Sequence, residues 1–281
     1  MDKIISPSNL SFVKETIKQL SYELQIDDPK KILWLVFGSY VINMNNSSSD
    51  LDIIAIGDDF KEGNRRVLTI KNVPIHLTTI SMDTLKDDGE SRLFGSYFSG
   101  KVINPHIFLY GNEETRTEAM FHAGKFIGRL AGYLGSLTST EQFTESQITS
   151  LVFIAYLSTD PSFDSYFLNY YVSPNFENIW KELSKTTIQT LQVAGVIVQN
   201  KDKYEFTEKF DDYKSFHSER MKISARHWSY GAVCHQSDFR FQDKIFTKAE
   251  DKMNKIDQSG VRYQEMIQFL KQESGLLEIY I

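Results

Sequence analysis

The chain has 281 residues, of which 41% are hydrophobic and 24% charged, the balance of an ordinary globular protein long enough for two modest domains. A formal net charge of −6 argues against the broad basic surface that non-specific nucleic-acid binding needs and leaves a local basic patch open; an acidic face would suit a cationic small substrate, which net charge alone does not establish. A single cysteine, Cys234, can build neither an intramolecular disulfide nor a cysteine zinc site, so a reducing compartment is expected.

Residues 1–6 lack a basic segment leading into an apolar run, and no apolar stretch approaches the length of a membrane span, so the expectation is a cytoplasmic protein without a membrane partner. Ser8 to Gln25 reads as an amphipathic helix: Ser8 offers a cap, Phe12, Ile17, Leu20 and Leu24 recur near helical spacing, and Asp27, Asp28 and Pro29 end it. Lys31 to Phe37 is an apolar run stopped by Gly38 and reads as a buried strand, and Leu51 to Ile56 reads as a second, preceded by Asp50 and interrupted by Asp52. Arg66 to Ile80 looks like a hairpin about Lys71-Asn72, with Pro74 marking an edge strand or a strand start. Short helices are expected at Met82 to Asp88 and Arg92 to Lys101, then a strand at Pro105 to Tyr110 closed by Gly111.

From Glu113 the pattern becomes helical. Glu113 to Leu137 places acids early and Lys125 and Arg129 late, as the helix dipole prefers; Thr144 to Leu157 and Asn175 to Ala194 follow, the last with Gly195 as C-cap. Val196 to Phe206 reads as a hairpin turning at Asn200 to Lys203, and after Asp211 helices dominate to Gln272. The chain is therefore divided into residues 1–112, an α/β domain with a mixed sheet flanked by helices, and residues 113–281, a mostly α-helical domain.

The chemistry concentrates between Val36 and Ile53. A strand ends at Gly38, where the missing side chain lets a phosphate approach the backbone, and Ser39 adds a hydroxyl at the start of the next helix or turn. Beyond residues 40–49, Asp50 and Asp52 alternate along the second strand and so project from one face. Two carboxylates beside a phosphate cradle form a site for a hard divalent cation.

Gly38-Ser39 followed by Asp50-Leu51-Asp52-Ile53 resembles the signature of the DNA polymerase β-like nucleotidyltransferase superfamily, with coverage from about Ile32 to Gly111. The resemblance implies transfer of an NMP from an NTP, ATP among the candidates, to an acceptor hydroxyl with pyrophosphate release. It implies Mg²⁺, in one or two sites, held by Asp50 and Asp52, and phosphate held by Gly38 and Ser39. The minimal core followed by a helical domain is most similar to antibiotic-modifying members, which suggests a small-molecule acceptor and, as in related small enzymes, a homodimer.

The family usually carries a third acid in an apolar-Asp-apolar setting, and here that setting is Ile75-His76-Leu77. Three readings stay open: His76 is the catalytic base, the base is an acid from elsewhere such as Asp83 or Glu90, or catalysis is lost and the domain only binds. Lys101, with Arg92 as second choice, is a candidate for the triphosphate, while Arg65-Arg66 reads as the solvated edge of a hairpin. Lys125 and Arg129 share a helix face that either lines a cleft or forms a basic surface stripe.

The helix before Gly195, with Lys181 and Lys185 offset by Glu177 and Glu182, and the hairpin tipped by Lys201 and Lys203 look like a winged-helix unit. This supports the alternatives of a non-catalytic nucleotide- or DNA-binding regulator, or a protein- or RNA-directed transferase of a toxin system. Arg226, His227, Trp228, Tyr230, His235 and Arg240 cluster in sequence and suit either a helical core or stacking on a base.

Overall fold

The computed structural model describes residues 5–60, 64–91, 97–157, 163–207 and 261–276. Helix α1 (Pro7–Glu23) is capped by Ser6 rather than Ser8 and so starts earlier than expected, because Ser6 accepts the Asn9 backbone N–H and Pro7 pre-sets the first helical φ. Strands β1 (Leu33–Phe37), β2 (Leu51–Ile56), β3 (Asn64–Ile70), β4 (Val73–Ile80) and β5 (His106–Tyr110) form one sheet in the order β3-β4-β2-β1-β5. β1 runs antiparallel to β2 and β5, β3 antiparallel to β4, and β2 parallel to β4, so the sheet is mixed.

The β3/β4 hairpin closes at Lys71-Asn72, both at positive φ (51° and 64°), the backbone that matches strand twist in a two-residue loop. Pro74 is the second residue of β4, which lies inside the sheet; of the two positions expected for it, the strand start is the one occupied.

Each sheet face carries its own apolar layer. Val13, Ile17 and Leu20 of α1 pack on Trp34, Val36, Ile53, Ile75 and Leu77. On the other face Leu35, Phe37, Ile54 and Ile80 meet α2 (Met82–Ser91), α3 (Tyr97–Ile103) and α4 (Glu113–Ser136) through Leu85, Phe98, Val102, Met120 and Ala123. Burying one such side chain is worth about 1.5–3 kcal/mol, which is why the alternation of β2 and β4 fixes which residues stay with the site.

Two close contacts hold the second layer. A Cβ at Gly89 would stand 2.2 Å from the His122 carbonyl oxygen, so the α2/α4 crossing requires glycine there. The buried Asp88 carboxylate accepts the backbone N–H groups of Phe98 and Ser99 at 2.8 Å each and the Ser99 hydroxyl at 2.9 Å, capping α3.

The C-terminal part is mostly helical: α5 (Glu145–Leu157), α6 (Phe163–Tyr171), α7 (Phe176–Val193) and α8 (Val261–Ser274), with the hairpin β6 (Ile197–Asn200) and β7 (Lys203–Phe206). Leu130, Phe153, Ile154, Leu183, Leu191, Met266 and Leu270 share its core with α4. Helix α6 was not expected from the sequence, since its aromatic-rich run has weak helix propensity; Phe167 holds it by packing on Phe153 and Trp180. Gly195 ends α7 at φ +69°, and Phe143 makes a bridge to Tyr204 beside the hairpin. Among the described residues no helix is long and apolar enough to cross a membrane. Arg92, Cys234 and the cluster from Arg226 to Arg240 lie outside the described residues.

Candidate metal centre

Parallel pairing of β2 with β4 sets Asp52 opposite His76, while β1 sets Phe37 opposite both Asp52 and His106. His76, Asp52, Phe37 and His106 thus form one row across the sheet, at about 4.8 Å per strand. Asp50 precedes β2 by one residue and shares the face of Asp52. His76 Nδ1 lies 3.0 Å from Asp50 Oδ2 and 3.5 Å from Asp52 Oδ1. These ligand atoms all fall within 4.8 Å of one another, the one such group of three among the described residues. The three side chains are 43%, 20% and 25% exposed for Asp50, Asp52 and His76, so the group is reachable from solvent.

Hydrogen bonding to Asp50, and then to Asp52, pushes the His76 pKa up to about 9; burial and the Arg65 charge oppose this. At neutral pH the ring is therefore an imidazolium with Nδ1 donating toward the carboxylates. A base needs a free lone pair, so His76 in this arrangement is a cation between two acids rather than a poised proton acceptor.

Gly38 touches the same group. Its φ is +82°, and a Cβ there would stand 2.9 Å from Asp52 Oδ2. Backbone conformation and space both select glycine at this point. Ser39 opens a tight turn rather than a helix, with the Val41 N–H bonded to the Gly38 carbonyl and the Met44 N–H to the Ser39 carbonyl. Asn9 of α1 anchors that turn by donating to the Tyr40 carbonyl (3.1 Å) and to Asn45 Oδ1 (2.8 Å). The Tyr40 hydroxyl has its pKa raised by burial and by Asp50, against a hydrogen bond from Asn45.

Lys101 is only 4% exposed, with its ammonium 5.4 Å from the centre of the Phe37 ring and 5.0 Å from that of Tyr97. It stands over the row next to Asp52 and is no solvated surface lysine. Glu90 pairs with His122 at 2.7 Å and Asp83 is exposed on the first turn of α2; neither belongs to the carboxylate group with Asp50 and Asp52. Lys125 sits 4.3 Å over the Phe121 ring, and Arg129 is half-buried on the same helix. Lys201 and Lys203 flank the exposed hairpin tip, and Lys185 lies 4.0 Å from Glu182 on α7.

On the site face His106 was not singled out from the sequence, and Arg65, expected on the solvated edge of the hairpin, is half-buried instead. His106 donates Nδ1–H to the Asn104 carbonyl at 2.9 Å, and burial drives its pKa down to about 4 against that bond. Its one signal was position: the first residue of a strand that pairs with the Gly38 strand. Arg65 separates from Arg66 by strand alternation. Arg65 Nη2 lies 3.4 Å from His76 Nδ1, whereas Arg66 is exposed on the opposite face. No protein-family model matches the chain, and no curated protein matches it either.

Proposed function

We propose that the chain is a divalent-cation-dependent nucleotidyltransferase of the DNA polymerase β-like kind, moving an NMP from an NTP to an acceptor hydroxyl. The observation that supports this best is the placement of the Gly38 turn directly against the Asp52 carboxylate, with Asp50 and His76 on the same face. The mixed sheet with helices on both faces is compatible with that fold.

The donor set fits a divalent cation: two carboxylates on alternate residues and an imidazole, with ligand atoms already converged. Asp50 and Asp52 would hold it, and His76 would serve as a third ligand once its proton is displaced. Mg²⁺ in such a site neutralises charge on the phosphates during in-line displacement. The acceptor oxygen bonds to the α-phosphorus, the bond to the β-phosphate oxygen breaks, and pyrophosphate leaves. Gly38 and the Ser39 turn let the phosphates approach the backbone, and Lys101 adds a fixed positive charge beside Phe37. His76 replaces the usual third acid as a ligand rather than as the base, because its Nδ1 faces both carboxylates; the hydroxyl proton leaves to water.

Pyrophosphate release measured with Mg²⁺ and each NTP, with and without metabolite extract, tests the reading. Release that disappears in an Asp50→Ala/Asp52→Ala variant is expected; no release from the unaltered protein removes the enzyme.

A second reading has one observation of its own. Helix α7, Gly195, the β6/β7 hairpin and the Phe143–Tyr204 bridge resemble a winged-helix unit. A DNA-binding regulator would use the Lys201 and Lys203 tip, yet α7 alternates Lys181 and Lys185 with Glu177 and Glu182. Duplex-DNA binding lost on changing both tip lysines to Ala would favour this reading.

A further inference from the structure

The two flanks of the carboxylate pair differ in what they offer. Toward β1 lie the glycine turn at Gly38 and the Lys101 ammonium over Phe37. Toward β3, beyond His76, lies Arg65. Its guanidinium is half-buried and forms no ion pair with a carboxylate among the described residues. The group it approaches at 3.4 Å is a ring nitrogen, His76 Nδ1, which itself lies 3.0 Å from Asp50 Oδ2, so the contact brings the guanidinium no carboxylate of its own. The guanidinium thus turns Nη2 toward the site face with no carboxylate to pair its charge among the described residues.

We infer that Arg65 receives an anionic oxyacid group of the acceptor, so that the acceptor is a phosphorylated or carboxylated hydroxyl compound rather than a polycation. This rests on the nucleotidyltransferase reading. A triphosphate seated on the Gly38 turn occupies the β1 flank. In-line displacement brings the attacking oxygen to the α-phosphorus from the side opposite the departing pyrophosphate, which is the β4 and β3 flank. Whatever carries that oxygen therefore lies against His76 and Arg65. A planar guanidinium grips a phosphate or carboxylate with two parallel hydrogen bonds, and it repels an ammonium. An acidic face would suit a cationic substrate; the cation at Arg65 opposes one at the acceptor side.

The test uses the full chain, Mg²⁺ and the non-hydrolysable analogue α,β-methylene-ATP, with inorganic phosphate as the probe, read by calorimetry. The analogue arm is measured first. Phosphate is then titrated into the saturated protein, into Arg65→Gln, into Arg65→Lys, and into Arg66→Gln as a control on the opposite face. The expected result is phosphate binding by the unaltered protein and Arg66→Gln, weakened at least about tenfold in Arg65→Gln and partly restored in Arg65→Lys. Analogue affinity and melting temperature stay the same in Arg65→Gln. Equal phosphate binding in all four proteins, no phosphate binding at all, or spermidine binding in its place would overturn the inference. Loss of analogue binding in Arg65→Gln would assign the residue to the triphosphate instead and also overturn it. Failure of the unaltered protein to bind the analogue with Mg²⁺ would show up in the first arm, and there the nucleotidyltransferase reading itself falls.

Discussion

His76 on β4 and His106 on β5 stand in one row across the sheet, with β2 and β1 between them, and are held in opposite charge states. On β4 two carboxylates flank the ring and hold it protonated up to about pH 9. On β5 the ring lies against Phe108 with centroids 4.4 Å apart, and burial keeps it neutral down to about pH 4. Residue type is the same, so the difference is made by what each ring faces. Around His76 charged groups gather; around His106 burial excludes charge.

The largest effect that would break this contrast is at the carboxylates. Asp52→Asn removes a charged ligand and should lower Mg²⁺-dependent pyrophosphate release by about a thousandfold or more, while His106→Gln should leave it within about tenfold. Equal losses would mean that Asp52 and His106 act as one site.

Next comes the proton on His76. A cation that takes His76 as a ligand must displace that proton, so affinity for Mn²⁺ or Mg²⁺ should fall roughly tenfold per pH unit below about pH 9. His76→Gln should flatten the profile in a calorimetric titration. A slope that persists in the variant would remove His76 from the ligand set.

Gly38→Ala tests the junction between turn and carboxylate. The residue needs φ +82°, and its Cβ would meet Asp52 Oδ2 at 2.9 Å, so a loss of about 1–3 kcal/mol in denaturant unfolding is expected, together with weaker cation binding. Stability without loss of cation affinity, or the reverse, would separate the two roles.

The smallest effect is the pH dependence of the cation-free fold. His106 has a folded pKa below its ordinary value, so its contribution is complete above about pH 6.5 and is lost as pH falls toward 4. His76 has a raised folded pKa, so its contribution is complete below about pH 6.5 and is lost as pH rises toward 9. Thermal melts should therefore flatten on the acid side in His106→Gln and on the alkaline side in His76→Gln. Swapped limbs would invert the comparison.

Much of this was legible in the residues. The apolar runs of β1 and β2 and the Lys71-Asn72 turn announce themselves through local pattern, and Asp50 and Asp52 share a face by simple alternation. His76 stood out because an apolar pair flanks it. What local pattern cannot supply is register between distant strands. Arg65 and Arg66 look alike until β3 is laid against β4 with Arg65 opposite Thr78. Lys101 could be singled out as a cation, yet its burial against Phe37 and Tyr97 shows only once α3 is laid over the sheet. His106 carries no motif at all, since only the pairing of β5 with β1 brings it into the row.

The parallel pairing of β2 with β4 has a consequence for the order in which the chain acquires its shape. Asp52 and His76 meet only when β4, the strand whose other side β3 covers in the finished sheet, lies along β2. Such non-local pairing forms late, because loop closure must precede the contacts that reward it. An intermediate without that pairing holds only a pair of acids. Divalent cation should then leave the refolding rate nearly unchanged and slow unfolding, adding about 2.7 kcal/mol at a hundred times its dissociation constant.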